Sequence, residues 1–142
     1  TAFGNKESTV GIFLDIEKAY DRLWNDGLLS KLHEMGLKGK TFKLIYNLVK
    51  NRPFQVRVGK AMSNTRYLRN GLPQGSILSP TLFNLMLYDI VQEKMVKLSL
   101  YADDCICWKT GKDIDEIRGT MQRYLHNLNA WFLKWGFKIS MT

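Results

Sequence analysis

Hydrophobic periodicity divides the first third of the chain into a strand followed by helical segments. The run Ser8–Asp15 is apolar, rich in β-forming residues and ends in an acid, which predicts a buried strand with a carboxylate at its tip. Apolar side chains then recur every three or four residues over Lys18–Trp24 and Leu28–Met35, and again over Lys40–Asn51. This spacing predicts amphipathic helices, and Gly36 provides a stop between them.

The middle of the chain changes to a period of two. Residues 54–58 alternate strictly, which predicts a one-sided strand with Phe54, Val56 and Val58 facing inward. Residues 66–69 are expected to pair with this strand as a hairpin, across a turn at Gly59–Thr65. The following segment, Asn70-Gly-Leu-Pro-Gln-Gly-Ser76, has the composition of a loop.

The last part of the chain predicts a strongly apolar helix after Pro80 and then a hairpin. Strands at residues 97–102 and 105–110 flank Asp103 and Asp104, which are expected at the hairpin tip. Apolar residues spaced by three and four from Ile114 to Trp135 predict one long amphipathic helix, and residues 137–139 a short final strand. The order predicts one α+β domain over residues 1–142, with helices packed on one face of a largely antiparallel sheet.

Composition and charge add a class of partner. The 142 residues are 45% hydrophobic and carry 21 basic against 13 acidic side chains, giving a net charge of +8. Such a surplus suits a polyanionic partner, although many soluble domains are basic for solubility alone. The basic residues concentrate in the middle of the chain, at Lys38, Lys40, Lys43, Lys50, Arg52, Arg57, Lys60, Arg66 and Arg69.

Targeting signals and cysteine chemistry are not indicated. The chain starts at Thr1 without a signal-peptide pattern and has no apolar run long enough to span a bilayer. We expect a piece of an intracellular protein of the nucleus or cytoplasm that has no membrane partner. Cys105 and Cys107 have no nearby ligands to complete a zinc site, so they are interpreted as free thiols on one side of a strand.

Three acids stand out because they occur at the ends of apolar strands. Asp15 ends the first strand, and Asp103 and Asp104 lie between two others. Carboxylates gathered at neighbouring strand ends repel one another unless a cation neutralises them, and hard oxygen ligands select Mg²⁺ or Mn²⁺. Two such ions can support phosphoryl transfer. The alternative is structural, with Asp15 capping a helix and the paired acids forming an ordinary turn.

Tyr20 and the glycine-punctuated loop offer a second group of candidates. The segment Gly71-Leu-Pro-Gln-Gly-Ser76 can bring backbone and the Gln74 amide close to a base and sugar, or it can simply lead into the next helix. Tyr20 is either a core aromatic or, if the chain turns from strand to helix after Asp15, a side chain over the same pocket.

Three motifs together resemble a known family. Phe13-Leu-Asp-Ile-Glu-Lys-Ala-Tyr-Asp21, Gly71-Leu-Pro-Gln-Gly-Ser-Ile-Leu-Ser-Pro-Thr-Leu-Phe-Asn84 and Tyr101-Ala-Asp-Asp104 resemble the successive palm motifs of reverse transcriptases. The residues of these motifs are most similar to those of non-LTR retrotransposon enzymes, jockey-like ones in particular. The resemblance covers essentially the whole chain and implies the polymerase palm fold.

The resemblance also implies a role for each matching residue. Asp15 and Asp103 would ligate two Mg²⁺ or Mn²⁺ ions with help from the Ile16 backbone, and Asp104 would be the more peripheral acid. Tyr20 would be a steric gate against the ribose 2′-OH. The remaining implied contacts are Lys18 and Ala19 to the triphosphate, Gln74 and Gly75 to the new base pair, and Tyr101 to the primer.

The implied reaction is RNA-directed DNA synthesis. A primer 3′-OH would attack the α-phosphate of a dNTP, with RNA or DNA as template. Fingers and thumb are expected to be incomplete or absent, because about fourteen residues precede Asp15 and the next family motif is only begun at residues 135–142. Two alternatives therefore stay open: a truncated, catalytically inactive nucleic-acid-binding remnant, and a two-metal nuclease that uses the same acids.

Overall fold

The computed structural model describes residues 7–140, which divide into two compact units. One unit contains the chain up to Lys18 and from Tyr88 onward, and the other is Ala19–Leu87. The strands are β1 (Ser8–Asp15), β2 (Arg52–Phe54), β3 (Arg57–Val58), β4 (Ala61–Met62), β5 (Arg66–Leu68), β6 (Lys97–Tyr101) and β7 (Asp104–Gly111). The helices are α1 (Ala19–Arg22), α2 (Asn25–Glu34), α3 (Gly39–Val49), α4 (Ser79–Leu87) and α5 (Ile114–Lys134).

The first unit is built on a three-stranded antiparallel sheet in the order β1-β7-β6. Its register pairs Leu14 with Cys105 and Cys105 with Leu100, so these three side chains share one face of the sheet. Helix α5 packs against this face through contacts with β7 and β1. The predicted antiparallel sheet with a helix on one face is therefore confirmed, as are the strand from Ser8 to Asp15 and the long helix from Ile114.

Helix α5 follows from its capping residue and its apolar stripe. The side chain of Asp113 accepts hydrogen bonds from the N–H groups of Asp115 (2.9 Å) and Glu116 (3.4 Å), which satisfies donors that a helix start leaves unpaired. The buried stripe comprises Ile117, Thr120, Met121, Tyr124, Leu128, Trp131 and Phe132. Each large apolar side chain in this stripe contributes about 1.5–3 kcal/mol through burial.

One lysine lies on the inner face of the sheet and has polar partners there. Lys109 is 5% exposed, and its Nζ donates to Glu116 Oε1 and to Thr120 Oγ1, both at 2.9 Å. A buried ammonium without such acceptors would cost several kcal/mol. Lys109 therefore ties β7 to the first turns of α5.

The second unit contains α1 to α4 and two short β-ladders. Helix α2 contacts α3 and α4. Two buried polar side chains of α2 hold other segments by backbone carbonyls. Lys31 Nζ donates to the Met86 carbonyl (2.6 Å), and Asn25 Nδ2 donates to the carbonyls of Val49 (2.8 Å) and Arg69 (3.1 Å). These bonds tie α2 to the last turn of α4, to the end of α3 and to Arg69.

The prediction for residues 54–69 is partly wrong. Strand β2 pairs with β5, so Phe54 faces Arg66 as expected, but the turn is the two-residue Gly59-Lys60 between β3 and β4. Gly59 has φ +60, which suits such a tight turn. The predicted inward side chains Phe54, Val56 and Val58 are exposed (36%, 54% and 75%). The alternation predicts that one face of the strand is apolar and the other polar. It does not establish that another element packs on the apolar face.

Two smaller expectations also need adjustment. The last predicted strand, residues 137–139, is reduced to an isolated antiparallel bridge between Ile139 and Ile16. Within residues 7–140, no helix has the length and apolar character that a bilayer crossing requires.

Because the thiols of β7 are buried, we expect the free energy of unfolding to depend on pH. Burial raises the pKa of Cys105 from its ordinary 9.0 to about 12, and the neighbouring Cys107 adds to the shift. Above pH 9 the unfolded thiol ionises while the folded one stays neutral, so stability present below pH 9 is lost as the pH rises. The difference in unfolding free energy between the wild type and Cys105→Ala should shrink by about 1.4 kcal/mol at pH 10. Urea unfolding at pH 8 and pH 10 measures it, and a constant difference would contradict it.

Candidate active site

Two of the predicted acids face each other at the end of the first unit's sheet. Asp15 is the last residue of β1, Asp104 is the first of β7, and the register pairs them directly. On its other side Asp104 is paired, in the β6–β7 ladder, with Tyr101, the last residue of β6. Because side chains alternate along a strand, these three lie on the face opposite to Leu14, Cys105 and Leu100, and all three are exposed.

The hairpin tip lies one residue earlier than expected. The turn is Ala102-Asp103, and Ala102 takes the left-handed conformation with φ +53. Asp103 stays close to β1 through its backbone, since its carbonyl accepts a hydrogen bond from the Ile16 N–H (3.2 Å). The register therefore aligns Asp104, rather than Asp103, with Asp15.

The chain's C-terminal segment holds the end of β1, a contact that sequence reasoning missed. The Ser140 N–H donates to the Asp15 carbonyl and the Glu17 N–H donates to the Lys138 carbonyl, both at 2.8 Å. Phe137 anchors this segment, because it is buried with its ring stacked on Trp131 at a centroid distance of 6.2 Å. The apolar Phe137 was the available signal, but its partners are set only by packing.

A cavity with a volume of about 400 Å³ lies beside the facing acids. It is lined by residues of all three strands and of the C-terminal segment, among them Phe13, Asp15, Ser99, Tyr101, Asp104 and Ser140. Like charges placed directly opposite destabilise a ladder unless something neutralises them. The arrangement therefore places two carboxylates at the edge of a cavity that is open to a ligand.

The facing acids are the candidate metal ligands of this sheet edge. Within the described range 7–140, no three His, Cys, Asp or Glu side chains are close enough together to hold one ion. The donors nevertheless fit a hard divalent cation chemically, since the acids are exposed carboxylates at facing and adjacent positions. The Mg²⁺ or Mn²⁺ ligand set of Asp15, Ile16, Asp103 and Asp104 stays a prediction.

The second group of candidates surrounds a cavity in the other unit. Tyr20, Gln74 and Gly75 all line a space of about 370 Å³, together with Ser76, Ile77 and Pro80. The Tyr20 ring stacks on Phe83, with centroids 4.9 Å apart. The structure thus brings together the aromatic and the loop that the sequence singled out for one pocket.

The loop is pinned to the helical turn that carries Tyr20. The N–H groups of Gly71 and Leu72 donate to the carbonyls of Leu23 and Tyr20, both at 2.8 Å. Gln74 Nε2 donates to Asp21 Oδ1 at 3.0 Å. Asp21 was not among the predicted site residues, although its place next to Tyr20 was a usable signal.

Arg52 also supports this loop and was not predicted. Its Nη2 donates to the carbonyls of Asn70 (2.8 Å) and Gly71 (2.6 Å). Burial lowers the pKa of the Arg52 guanidinium, while the Asp21 carboxylate acts in the opposite direction. Arg52 thus holds the start of the loop through the Asn70 and Gly71 carbonyls, and Asp21 holds the Gln74 side chain.

The predicted triphosphate contacts, Lys18 and Ala19, lie where β1 gives way to α1. Lys18 is exposed and has a positive φ of 48°, and Ala19 is the buried first residue of α1. A left-handed residue at this point turns the backbone sharply after the strand. The role of both residues toward a nucleotide stays a prediction.

Comparison with known proteins identifies the family. All of residues 1–142 match the family described as reverse transcriptase (RNA-dependent DNA polymerase). The chain therefore belongs to the reverse transcriptase family.

Two of its curated relatives come from mobile elements of Drosophila melanogaster. The chain is 31% identical to the probable RNA-directed DNA polymerase from transposon BS and 33% identical to the RNA-directed DNA polymerase from mobile element jockey. Each match covers 98% of this chain and 16% of the relative, so the chain spans about a sixth of their length. The predicted kinship with jockey-like non-LTR reverse transcriptases is confirmed.

Solved structures show the fold. A telomerase from Candida albicans, in complex with a fragment of telomeric RNA, superposes with a TM-score of 0.67 at 13% identity. That match covers 94% of this chain and 27% of the telomerase chain. Apo telomerase from Candida tropicalis gives 0.65 at 16% identity, over 93% of this chain and 29% of its own. The predicted polymerase palm fold is confirmed.

The close approach of the loop to α1 predicts that Gly71 cannot be replaced. Its φ is +86, and a Cβ there would lie 2.5 Å from the Asp21 carbonyl oxygen. Gly71→Ala should lower the free energy of unfolding by about 3 kcal/mol, from backbone strain and the clash together.

Gly36→Ala is the matched control for this variant. Gly36 has the same conformation, φ +87, but no atom lies within 4 Å of its added Cβ, so only about 1 kcal/mol of strain is expected. Urea denaturation of both variants measures the two losses. Equal losses would show that the contact with Asp21 is unimportant.

Proposed function

We propose that this chain is the catalytic palm of an RNA-directed DNA polymerase of a mobile element. The observation that carries the proposal is the pairing of Asp15 with Asp104 at the end of the exposed sheet face, beside Tyr101 and next to Asp103. These acids belong to two family motifs that lie some ninety residues apart in the sequence. The antiparallel ladder brings the two motifs together at one end of the sheet. Family membership supports the same reaction class.

The proposed reaction is nucleotidyl transfer. The primer 3′-hydroxyl gives up its proton to solvent, and its oxygen forms a bond to the α-phosphorus of a dNTP. The bond from that phosphorus to the bridging oxygen breaks, and pyrophosphate leaves. Two divalent ions, Mg²⁺ or Mn²⁺, supply charge neutralisation and a more acidic primer hydroxyl when bound. Asp15 and Asp103 hold them with the Ile16 backbone, and Asp104 adds negative charge at the same edge.

Nucleotide selection is assigned to the second unit's cavity. The Tyr20 ring, kept in place by its stacking on Phe83, excludes a ribose 2′-OH and so favours deoxynucleotides. Gln74 and Gly75 contact the new base pair, while the backbone at Lys18 and Ala19 meets the triphosphate. The partners are an RNA template, a DNA primer bound near Tyr101, and dNTP.

Metal binding by this chain tests the catalytic acids. Mn²⁺ titration followed by electron paramagnetic resonance should show binding that weakens roughly tenfold or more in Asp15→Asn and Asp103→Asn, because each loses a charged ligand. Asp115→Asn is the matched control, an exposed acid of the same unit whose loss should leave binding unchanged. Equal Mn²⁺ affinity in all variants would remove the metal-site proposal.

Ribonucleotide discrimination tests Tyr20. In a longer reverse transcriptase whose matching segment is replaced by these residues, Tyr20→Ala should raise rNTP incorporation relative to dNTP on the order of tenfold or more. Tyr20→Phe keeps the ring and should keep discrimination, and Tyr46→Ala removes an exposed tyrosine of α3 as control. Unchanged discrimination would reject the gate. An inactive wild-type hybrid would favour the nucleic-acid-binding remnant.

A further inference from the structure

Residues 35–88 carry the chain's positive charge. This stretch contains nine Lys and Arg residues and not one Asp or Glu, whereas the whole chain has a net charge of +8. The remaining residues are therefore close to neutral in sum. All nine lie between Lys38 and Arg69, within the unit Ala19–Leu87.

Five of these cations lie on a β-hairpin that we call the hairpin arm, residues 52–69, and all of them except Arg52 are exposed. It consists of the β2–β5 and β3–β4 ladders with Gly59-Lys60 at its turn. Between the ladders the Ser63 N–H donates to the Val56 carbonyl (2.9 Å), so the two pieces form one continuous arm. Every residue from 53 to 70 is exposed.

The exposed side chains of the arm include both cationic and apolar types. The exposed cations are Arg57, Lys60, Arg66 and Arg69, and the larger exposed apolar side chains are Phe54, Val56, Val58, Met62, Tyr67 and Leu68. Tyr67 is 63% exposed and Val58 75%. A single-stranded nucleic acid has this complementary pattern, with phosphates for cations and unpaired bases for aromatic faces.

A cleft at the base of the arm adds a second observation. It has a volume of about 400 Å³ and includes two aromatic side chains, Trp24 and Tyr67, with the cations Lys50 and Arg69. Its one acid, Asp26, is paired with Lys50. This volume falls in the range of roughly 300–1,000 Å³ that ligand sites have. The cleft can therefore take a base against Tyr67 with a phosphate near Arg69.

We propose that the hairpin arm and this cleft bind single-stranded nucleic acid, with phosphates on Arg57, Lys60, Arg66 and Arg69 and a base on Tyr67. The proposal rests on the proposed function only in its choice of a nucleic-acid partner. The residues of the arm and its cleft include neither the acids nor any residue that lines the Tyr20 cavity. An apolar protein partner would account for the exposed Phe54 and Met62, but not for a cationic surface without acids. RNA and DNA strands share the recognised chemistry.

Fluorescence anisotropy with a fluorescein-labelled uridine homopolymer tests the cations. Arg57→Gln/Lys60→Gln/Arg66→Gln/Arg69→Gln should weaken binding at least about tenfold at low salt and lower the log–log salt slope by up to about three, at roughly 0.7 per lost phosphate contact. The control variant Lys112→Gln/Arg118→Gln/Arg123→Gln/Lys134→Gln removes equal charge from exposed positions at and near α5. Equal losses in both variants would reduce the effect to net charge and overturn the proposal.

Tyr67→Ala separates base stacking from charge. It should weaken binding about fivefold or more while leaving the salt slope unchanged, because stacking contributes on the order of 1–3 kcal/mol per base. A thymidine homopolymer in parallel tells whether RNA and DNA bind alike. Unchanged affinity of both the Tyr67 and the four-cation variants, with native circular dichroism, would leave the arm as a protein-docking surface and overturn the proposal.

Asp103→Asn separates this proposal from the polymerase. It should lose Mn²⁺ while binding the uridine homopolymer with wild-type affinity in the absence of divalent ions. Failure of the metal titration would then leave the arm's binding intact, and failure of the arm's binding would leave the metal site intact.

Discussion

The antiparallel ladder between β1 and β7 is the constraint on which the first unit depends. Its register determines both faces of the sheet at once, because side chains alternate and a shift by one residue would exchange them. With the observed register, Leu14 and Cys105 lie against α5 while Asp15 and Asp104 face outward together. The apolar pairs are therefore what hold two like charges opposite each other, and this repulsion makes the outer edge receptive to a cation.

In the second unit, the glycine-rich loop is held in place by hydrogen bonds rather than by a sheet. Backbone hydrogen bonds from Gly71 and Leu72 to the α1 region do most of this, and they require an approach so close that no Cβ fits at Gly71. Arg52 and Asn25 extend the same network to the two ends of the hairpin arm. The arm is consequently joined through its base to the loop that lines the Tyr20 cavity.

Elements with a buried face were predictable from the sequence, whereas for the arm the pairing was predicted but the turn and the exposure were not. The stripe of α5 repeats through 21 residues and ends at a packed surface, so period and burial agree. Phe54, Val56 and Val58 alternate equally well, yet they remain exposed, and the seven-residue turn expected after them is a two-residue turn. Their pattern fits an arm whose exposed surface is both cationic and apolar. A rule that assigns alternating apolar residues to the core interprets the same pattern as a buried strand.

The sequence by itself determined the family and singled out the three acids, Tyr20 and the Gln74-Gly75 loop as candidates, because motif order and residue chemistry are local properties. Tertiary structure alone decided which acid faces Asp15, since that depends on a turn starting at Ala102 with φ +53 rather than one residue later. It also decided that residues 138–140 brace the end of β1 and that Asp21 and Arg52 hold the loop. These are contacts between residues distant in sequence, and their partners are chosen by packing, which no periodicity records.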